Sequence, residues 1–274
     1  ALRLLFERVD AHALRGALVA VPVANGLAHL AGCRVSPQYA AREGIAFAGD
    51  LHKVFPGDAH GSITQRIAAL LWRDVVARAD YAIDYHSVGL PGMPFAFMYR
   101  GGASDAQRTS VWTRSLELAE AFGFTVVETK PNPLTLAGAC MDAGKPAMMI
   151  EMPAARHVDA ASIAATIRGT TNVLRKLGML DGDIESQADY PIVPGLRRAL
   201  PSIRAEHGGF ITFEAPCGVE LARGTTIAVV HDALGTLVEQ VCMPERGFVM
   251  TYPPVSWAGV PAVGAGDYVA DIFA

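Results

Sequence analysis

Charge is scarce in this 274-residue chain: Asp, Glu, Lys and Arg make up 18% of it, against 51% hydrophobic residues. A chain this apolar can bury a large core, which argues against disorder, and its length suits one large domain or one domain plus a small appendage. There is no long basic run, and the formal net charge is −4. Binding to nucleic acid or to anionic membranes therefore lacks electrostatic support. Cysteine is sparse and scattered (Cys33, Cys140, Cys217, Cys242), with no C-x-x-C pair. Free buried thiols in a reducing compartment are expected, rather than a disulfide framework. There is no apolar run of about 18 residues or more, so no membrane span is expected. The N-terminus lacks a basic segment followed by an apolar core, so no signal peptide is read and a cytoplasmic location is expected. An initial Met is missing too. The chain opens on the helix-like stretch Ala1-Leu-Arg-Leu-Leu-Phe-Glu-Arg8, and a truncated or processed start is the expectation.

What is present has a readable order. Residues 17–24 (ALVAVPVA) form a Val-rich apolar run ending at Asn25-Gly26, read as a buried strand and turn despite Pro22. Residues 32–61 lack a period and read as a long loop region. Ser62-Ile-Thr-Gln65 is a capping-box pattern. The helix it opens should run to about Arg78, with Ile63, Ile67, Leu70, Leu71 and Val75 on one face. Strands are expected at residues 81–86 (YAIDYH), 124–127 and 146–151 (PAMMIE), and helices at 107–122 and 159–177. That alternation indicates an α/β sheet with helices on both faces. After residue 190 helical periods vanish, and Pro191, Pro194 and Gly195 mark a boundary. The tail repeats itself weakly, 221–230 against 263–272, as strand–Gly–strand units. These resemble the hairpins of biotinyl or lipoyl carrier domains, but no carrier lysine stands in Cys242-Met-Pro-Glu-Arg-Gly247. The tail reads as a small β-sandwich or barrel with a structural role.

Two polar residues end apolar strands: His86 closes YAIDYH and Glu151 closes PAMMIE. In an open α/β sheet, sites form outside the carboxyl ends of strands. His86 is a candidate metal ligand or base, and Glu151 a candidate general base. Singly, a core histidine bonded to a carbonyl and a salt-bridged carboxylate are the better readings. Together, in this topology, the pair favours a site. Asp50-Leu-His-Lys-Val-Phe-Pro-Gly57 could aim His52 and Lys53 into a cleft, or be an ordinary surface loop. Arg34, in the same irregular stretch, reads by itself as a solvated residue or half of a weak surface pair.

These pieces, in this order, resemble the succinylglutamate desuccinylase/aspartoacylase family, which is zinc carboxypeptidase-like. The family pattern is an Arg, then Asp-x-Asn-Arg-x-Phe-Pro-Gly, a Ser-x-x-Glu-Arg helix start, a strand ending Asp-x-His, and a Gly-x-Pro-strand-Glu. Here stand Arg34, Asp50-Leu-His-Lys-Val-Phe-Pro-Gly57, Ser62-Ile-Thr-Gln-Arg66, Asp84-Tyr-His86 and Gly144-Lys-Pro-Ala-Met-Met-Ile-Glu151. The resemblance implies a mixed sheet flanked by helices over residues 1–190 and a smaller all-β domain over 196–274. It implies Zn2+ as cofactor with His86 as the last of three ligands, the others being two residues of a Gly-x-His-Gly-x-Glu loop. Two His and one carboxylate leave a position open for water, whose pKa the metal lowers to about 7. Glu151 would take the water's proton and pass it to the leaving amine, and Arg34 would hold the oxyanion. His52 and Lys53 fall where the family binds substrate. Asp84 could orient His86 but is left outside the ligand shell, on the ground that neighbouring strand residues face opposite ways.

The departures bear on function. The Gly-x-His-Gly-x-Glu loop is not found in this sequence, so the chain as given is expected to hold no zinc by His86 alone and to be inactive. His52-Lys53 replaces Asn-Arg, and Lys offers a carboxylate only a point charge where Arg offers two parallel bonds. Gln65 replaces Glu. The leading expectation is hydrolysis of a small N-acyl amino acid or related acyl amine. A carboxypeptidase acting on short peptides and a non-catalytic binding module are the alternatives. A small-molecule substrate is expected as partner, without nucleic acid or membrane, and homo-oligomerisation is left open.

Overall fold

The computed structural model describes residues 1–36, 49–89, 91–99, 106–153, 159–252 and 261–274. Its centre is a five-stranded sheet in the order β1-β4-β2-β3-β5. The strands are β1 (Ala82–Ser87), β2 (Phe95–Tyr99), β3 (Thr125–Thr129), β4 (Ala147–Met152) and β5 (Leu196–Arg198). The sheet is mixed: β2 runs antiparallel to β4, while the other pairs are parallel.

Side-chain alternation assigns the two faces. Ile83, Tyr85, Met148, Ile150, Ala96 and Met98 pack on one face against helices α4 (Ala106–Phe122) and α6 (Ala160–Lys176). Ala82, Ala147, Met149 and Tyr99 face the other way, toward Val76 and helix α5 (Leu136–Asp142). Both faces are covered, which explains why β4 reads as one continuous apolar run. Helix α3 (Ile63–Asp74) opens on the expected capping box, with both reciprocal bonds between Ser62 and Gln65 in place. Its buried positions are Thr64 and Ala68, whereas Ile63 and Leu70 of the expected face are exposed. Two short helices precede it, α1 (Leu2–Arg8) and α2 (Gly26–Leu30), the second capped by the Asn25 side chain.

Residues 17–24 differ from expectation. They take no strand conformation, and Val19, Val21 and Val23 stay exposed. An apolar run becomes a strand only with a partner for its backbone, and none of the described strands pairs with it. Pro22 removes one donor as well.

The tail forms two four-stranded antiparallel sheets, β10-β9-β7-β12 and β6-β13-β11-β8. Their strands are β6 (Ile203–Arg204), β7 (Gly209–Phe213), β8 (Glu220–Leu221), β9 (Thr226–His231), β10 (Leu237–Cys242), β11 (Gly247–Thr251), β12 (Ala262–Val263) and β13 (Tyr268–Phe273). The weak repeat has a structural counterpart. Each unit is a two-residue strand, a turn through a left-handed glycine (Gly224, φ 82°; Gly266, φ 88°) and a six-residue strand. A third core cluster joins the tail to the central sheet, with Phe248, Met250 and Phe273 packed together with Phe95, Met93 and Val127. Among the described residues, no helix is long and apolar enough to cross a membrane.

Candidate metal and hydrolytic centre

The parallel register of β1 and β4 sets His86 directly opposite Glu151. Paired residues on neighbouring strands project from the same face, so both side chains leave the sheet on the α5 side near the carboxyl ends of their strands. Asp84 lies two residues before His86 and shares that face, because strand side chains repeat with period two. Its Oδ2 accepts a hydrogen bond from His86 Nε2 at 3.0 Å. This corrects the expectation that Asp84 faces away, which applied to i, i+2 neighbours a rule that holds only for i, i+1.

His52 comes from a different element. Asp50 caps a 3-10 turn, Leu51–Lys53, by accepting from the His52 backbone N–H at 3.1 Å. The other oxygen of Asp50 meets Arg34, whose Nε and Nη2 lie 3.1 Å from Oδ2. Downstream, Phe55 is buried and its N–H donates to Leu134 O. Gly57 (φ 95°) lies against α3 so closely that a Cβ would meet the Ala69 backbone nitrogen at 2.2 Å. Only glycine satisfies both the left-handed φ and that approach, which gives Phe-Pro-Gly its physical meaning: it staples the loop to α3. The His52 ring is thereby set edge-on to His86, with centroids 4.6 Å apart and planes at 72°.

One donor atom from each of His52, Asp84 and His86 lies within 4.8 Å of the others, and among the described residues this is the one trio with metal-ligand clustering. His52 Nδ1 and Glu151 Oε2 are buried without a hydrogen-bond partner. Buried polar atoms ordinarily have partners, so two orphans at one place point to a missing ligand. Imidazole nitrogen with carboxylate oxygen is a donor set that suits zinc.

The electrostatics separate the groups. Burial works against a charged His86, but the Asp84 charge and hydrogen bond outweigh it and push its pKa up to about 9. Burial also opposes the Asp84 carboxylate, yet His86 holds its pKa below the usual value. Burial, then the neighbouring His86 and Lys53 charges, brings His52 down to about 4 and leaves it neutral. Burial lifts the Glu151 carboxyl to about 7, with His86 opposing the rise and Asp84 adding to it. Burial likewise lowers the Lys53 pKa. Arg34 acts on both His86 and Glu151 through its charge, while its guanidinium is engaged by Asp50. All five residues singled out from the sequence therefore gather here. Asp271 on β13 was not singled out; its carboxylate is felt by Glu151 and held by a hydrogen bond from Ser202 Oγ. A lone Asp in a short tail strand carries no sequence signal for that role.

The catalytic-domain model of the succinylglutamate desuccinylase/aspartoacylase family matches residues 1–177. The chain is 30% identical over 237 residues to the N-alpha-acetyl-L-2,4-diaminobutyric acid deacetylase of Halomonas elongata, an alignment covering 85% of this chain and 66% of that protein. It thus spans slightly less than two thirds of that relative's length. Among solved structures, it resembles the product-bound ectoine utilization protein EutE (DoeB) of Ruegeria pomeroyi (TM-score 0.82, 24% identity, 99% of this chain and 79% of that one). A succinylglutamate desuccinylase/aspartoacylase from Rhodobacter sphaeroides is similar to the same extent (TM-score 0.80, 22% identity, 99% and 79%). Those two likenesses establish the fold, a mixed sheet flanked by helices with an antiparallel β region after it. With the family match over most of the α/β part, the chain belongs to the succinylglutamate desuccinylase/aspartoacylase family.

Proposed function

We propose that this chain is the greater part of a zinc-dependent deacylase that hydrolyses the amide bond of a small N-acyl amino acid. The observation that carries this reading is Glu151 beside His86 at the ends of paired strands, with His52 and Asp84 closing around them. Zinc, when bound, supplies Lewis acidity and makes hydroxide available near neutral pH. His86 would be among the residues that hold the ion, and Asp84 orients that histidine through Nε2. Glu151 Oε2, free of any partner, accepts the proton of the attacking water. It then returns that proton to the departing nitrogen, so that amide and water become a carboxylate and a free amine. Burial suits Glu151 to this role, because a carboxyl near pH 7 both accepts and releases a proton readily. Arg34 and Lys53 put positive charge at the mouth of the site, where a substrate carboxylate or a developing oxyanion is stabilised.

The similarity to a diaminobutyrate deacetylase directs the first substrates to N-acetylated amino acids, N-alpha-acetyl-L-2,4-diaminobutyrate among them, with N-succinyl amino acids beside them. The test is release of primary amine from this panel, its loss with a zinc chelator and its return with added zinc. No amine from any substrate, with metal present, would move the reading to a non-catalytic binding module.

A further inference from the structure

The geometry points to Asp271 as a residue that selects the substrate: a carboxylate lent to the site by the tail, which receives a second, cationic amine on the amino-acid half of an N-acyl substrate. The inference rests on the deacylase reading and goes beyond it in naming the substrate's charge. Its first support is the direction of the side chain. Ala270 and Ile272 of β13 are buried in the tail's own core, whereas Phe273 packs with Phe95 of the central sheet. Strand side chains alternate, so Asp271 leaves β13 on the Phe273 side. Phe95 is the strand partner of Glu151, so that side is also the one on which Glu151 stands. Its second support is place. Thr251, the strand partner of Asp271, donates through Oγ1 to Gly89 O at 3.2 Å in the loop that leaves His86. Gly92 of the same loop is wedged between Thr251 and Pro153, two residues beyond Glu151. A Cβ there would meet Thr251 Oγ1 at 3.0 Å and Pro153 Cβ at 3.4 Å. The Asp271 charge is accordingly felt at Glu151. Its third support is a missing counter-ion. The carboxylate is partly buried, and among the described residues Ser202 Oγ is its one polar partner, with no Lys, Arg or His beside it. A carboxylate withdrawn from water without a cation costs stability, and a cation brought by the ligand offsets that cost. An ammonium suits it, because it adds a charge-assisted hydrogen bond. Arg34 and Lys53 meanwhile supply the opposite charge for the substrate's carboxylate. The substrate that satisfies both poles is an N-acyl diamino acid. A neutral side chain leaves Asp271 unpaired, and an acidic one is repelled by it.

The test is calorimetric binding of two ligands that differ by one ammonium group, N-alpha-acetyl-L-2,4-diaminobutyrate and N-acetyl-L-2-aminobutyrate. It is run with zinc present in a Glu151→Gln background, which slows turnover during the titration. Asp271→Asn is then added to that background, with Asp271→Ser in reserve and circular dichroism to identify any chain that fails to fold. The diamino ligand should bind about tenfold or more tighter than the neutral one, the scale of a hydrogen bond between charged groups. In a folded Asp271→Asn or Asp271→Ser chain that preference should collapse to about twofold or less. Ser202→Ala keeps the carboxylate and should keep the preference, which separates the charge of Asp271 from a structural part in holding β13. A preference that survives in the folded Asp271 variants, a wild-type residue 271 with no preference, or binding of neither ligand each overturns the inference. The deacylase reading is judged apart from it, by amine release. Equal release from both ligands sinks the role of Asp271 and leaves the deacylase standing, whereas a cation preference without any release does the reverse.

Discussion

Glu151 is the residue on which chemistry turns. Glu151→Gln keeps the shape and removes the proton acceptor, so kcat should fall by about 10²–10⁴ with KM little changed. An equal loss through KM alone would make the residue a substrate contact. Asp271 gives a prediction in pH. Burial disfavours its charged form more than the Ser202 hydrogen bond favours it, so its pKa lies above the usual carboxylate value. A group raised in the fold contributes stability that is full below the unfolded value of about 3.9 and is lost as pH rises through the folded one. Asp271→Asn keeps an acceptor for Ser202 and removes the charge. It should therefore melt above the wild type at neutral pH, with the two curves converging near about pH 4. A variant that melts lower at neutral pH would mean the carboxylate has a favourable charge partner. Much of the site could be read at this scale, because His86 and Glu151 each end an apolar strand. Asp84 was misjudged by a miscounted period, and Asp271 carried no pattern at all.

At the scale of elements, helix α6 shows how closely the layers fit. Gly169 faces Phe122 of α4, and a Cβ added there would lie 2.4 Å from the ring. Phe122 is fully buried and cannot swing away. Alanine gains about 1 kcal/mol of helix propensity but overpacks by about 1–3 kcal/mol. The net loss for Gly169→Ala should be up to about 2 kcal/mol, seen as a lower denaturant midpoint; a gain would show that the helices can part. The elements found from sequence were those with strong local signals: the capping box before α3, the apolar runs of β1 and β4, the glycine stops after α4 and α6. The failures have a common cause. Residues 17–24 are as apolar as β4 yet form no strand, because pairing is a property of the neighbour. Strand β2 (FAFMY) and helix α5 escaped notice for the converse reason. They are short, and their place is set by the pairing of β2 with β4 and by the packing of Ala137 and Cys140 of α5 with Tyr99 and Met149, rather than by any periodicity of their own.

At the scale of the molecule, the tail and the α/β part share one body of packing. Arg198 and Ala274 exchange both backbone hydrogen bonds, and β5, the first strand after residue 190, joins the central sheet. Helical circular dichroism reports the first part, and amide exchange in β9 to β13 reports the tail. The two should lose structure in a single coincident transition. Phe273→Ala, which empties a fully buried position at the junction, should lower both probes together at a cost of about 3–5 kcal/mol. Two separated transitions would mean the halves fold independently.

The junction also has a consequence for genetics. Phe273 packs in the same cluster as Phe95, and Phe95 is the strand partner of Glu151. One layer of side chains thus separates strand β13 from the proton acceptor. A screen for inactive alleles would recover lesions in β13 alongside those at the site, and such alleles would look catalytic until their protein was weighed and melted.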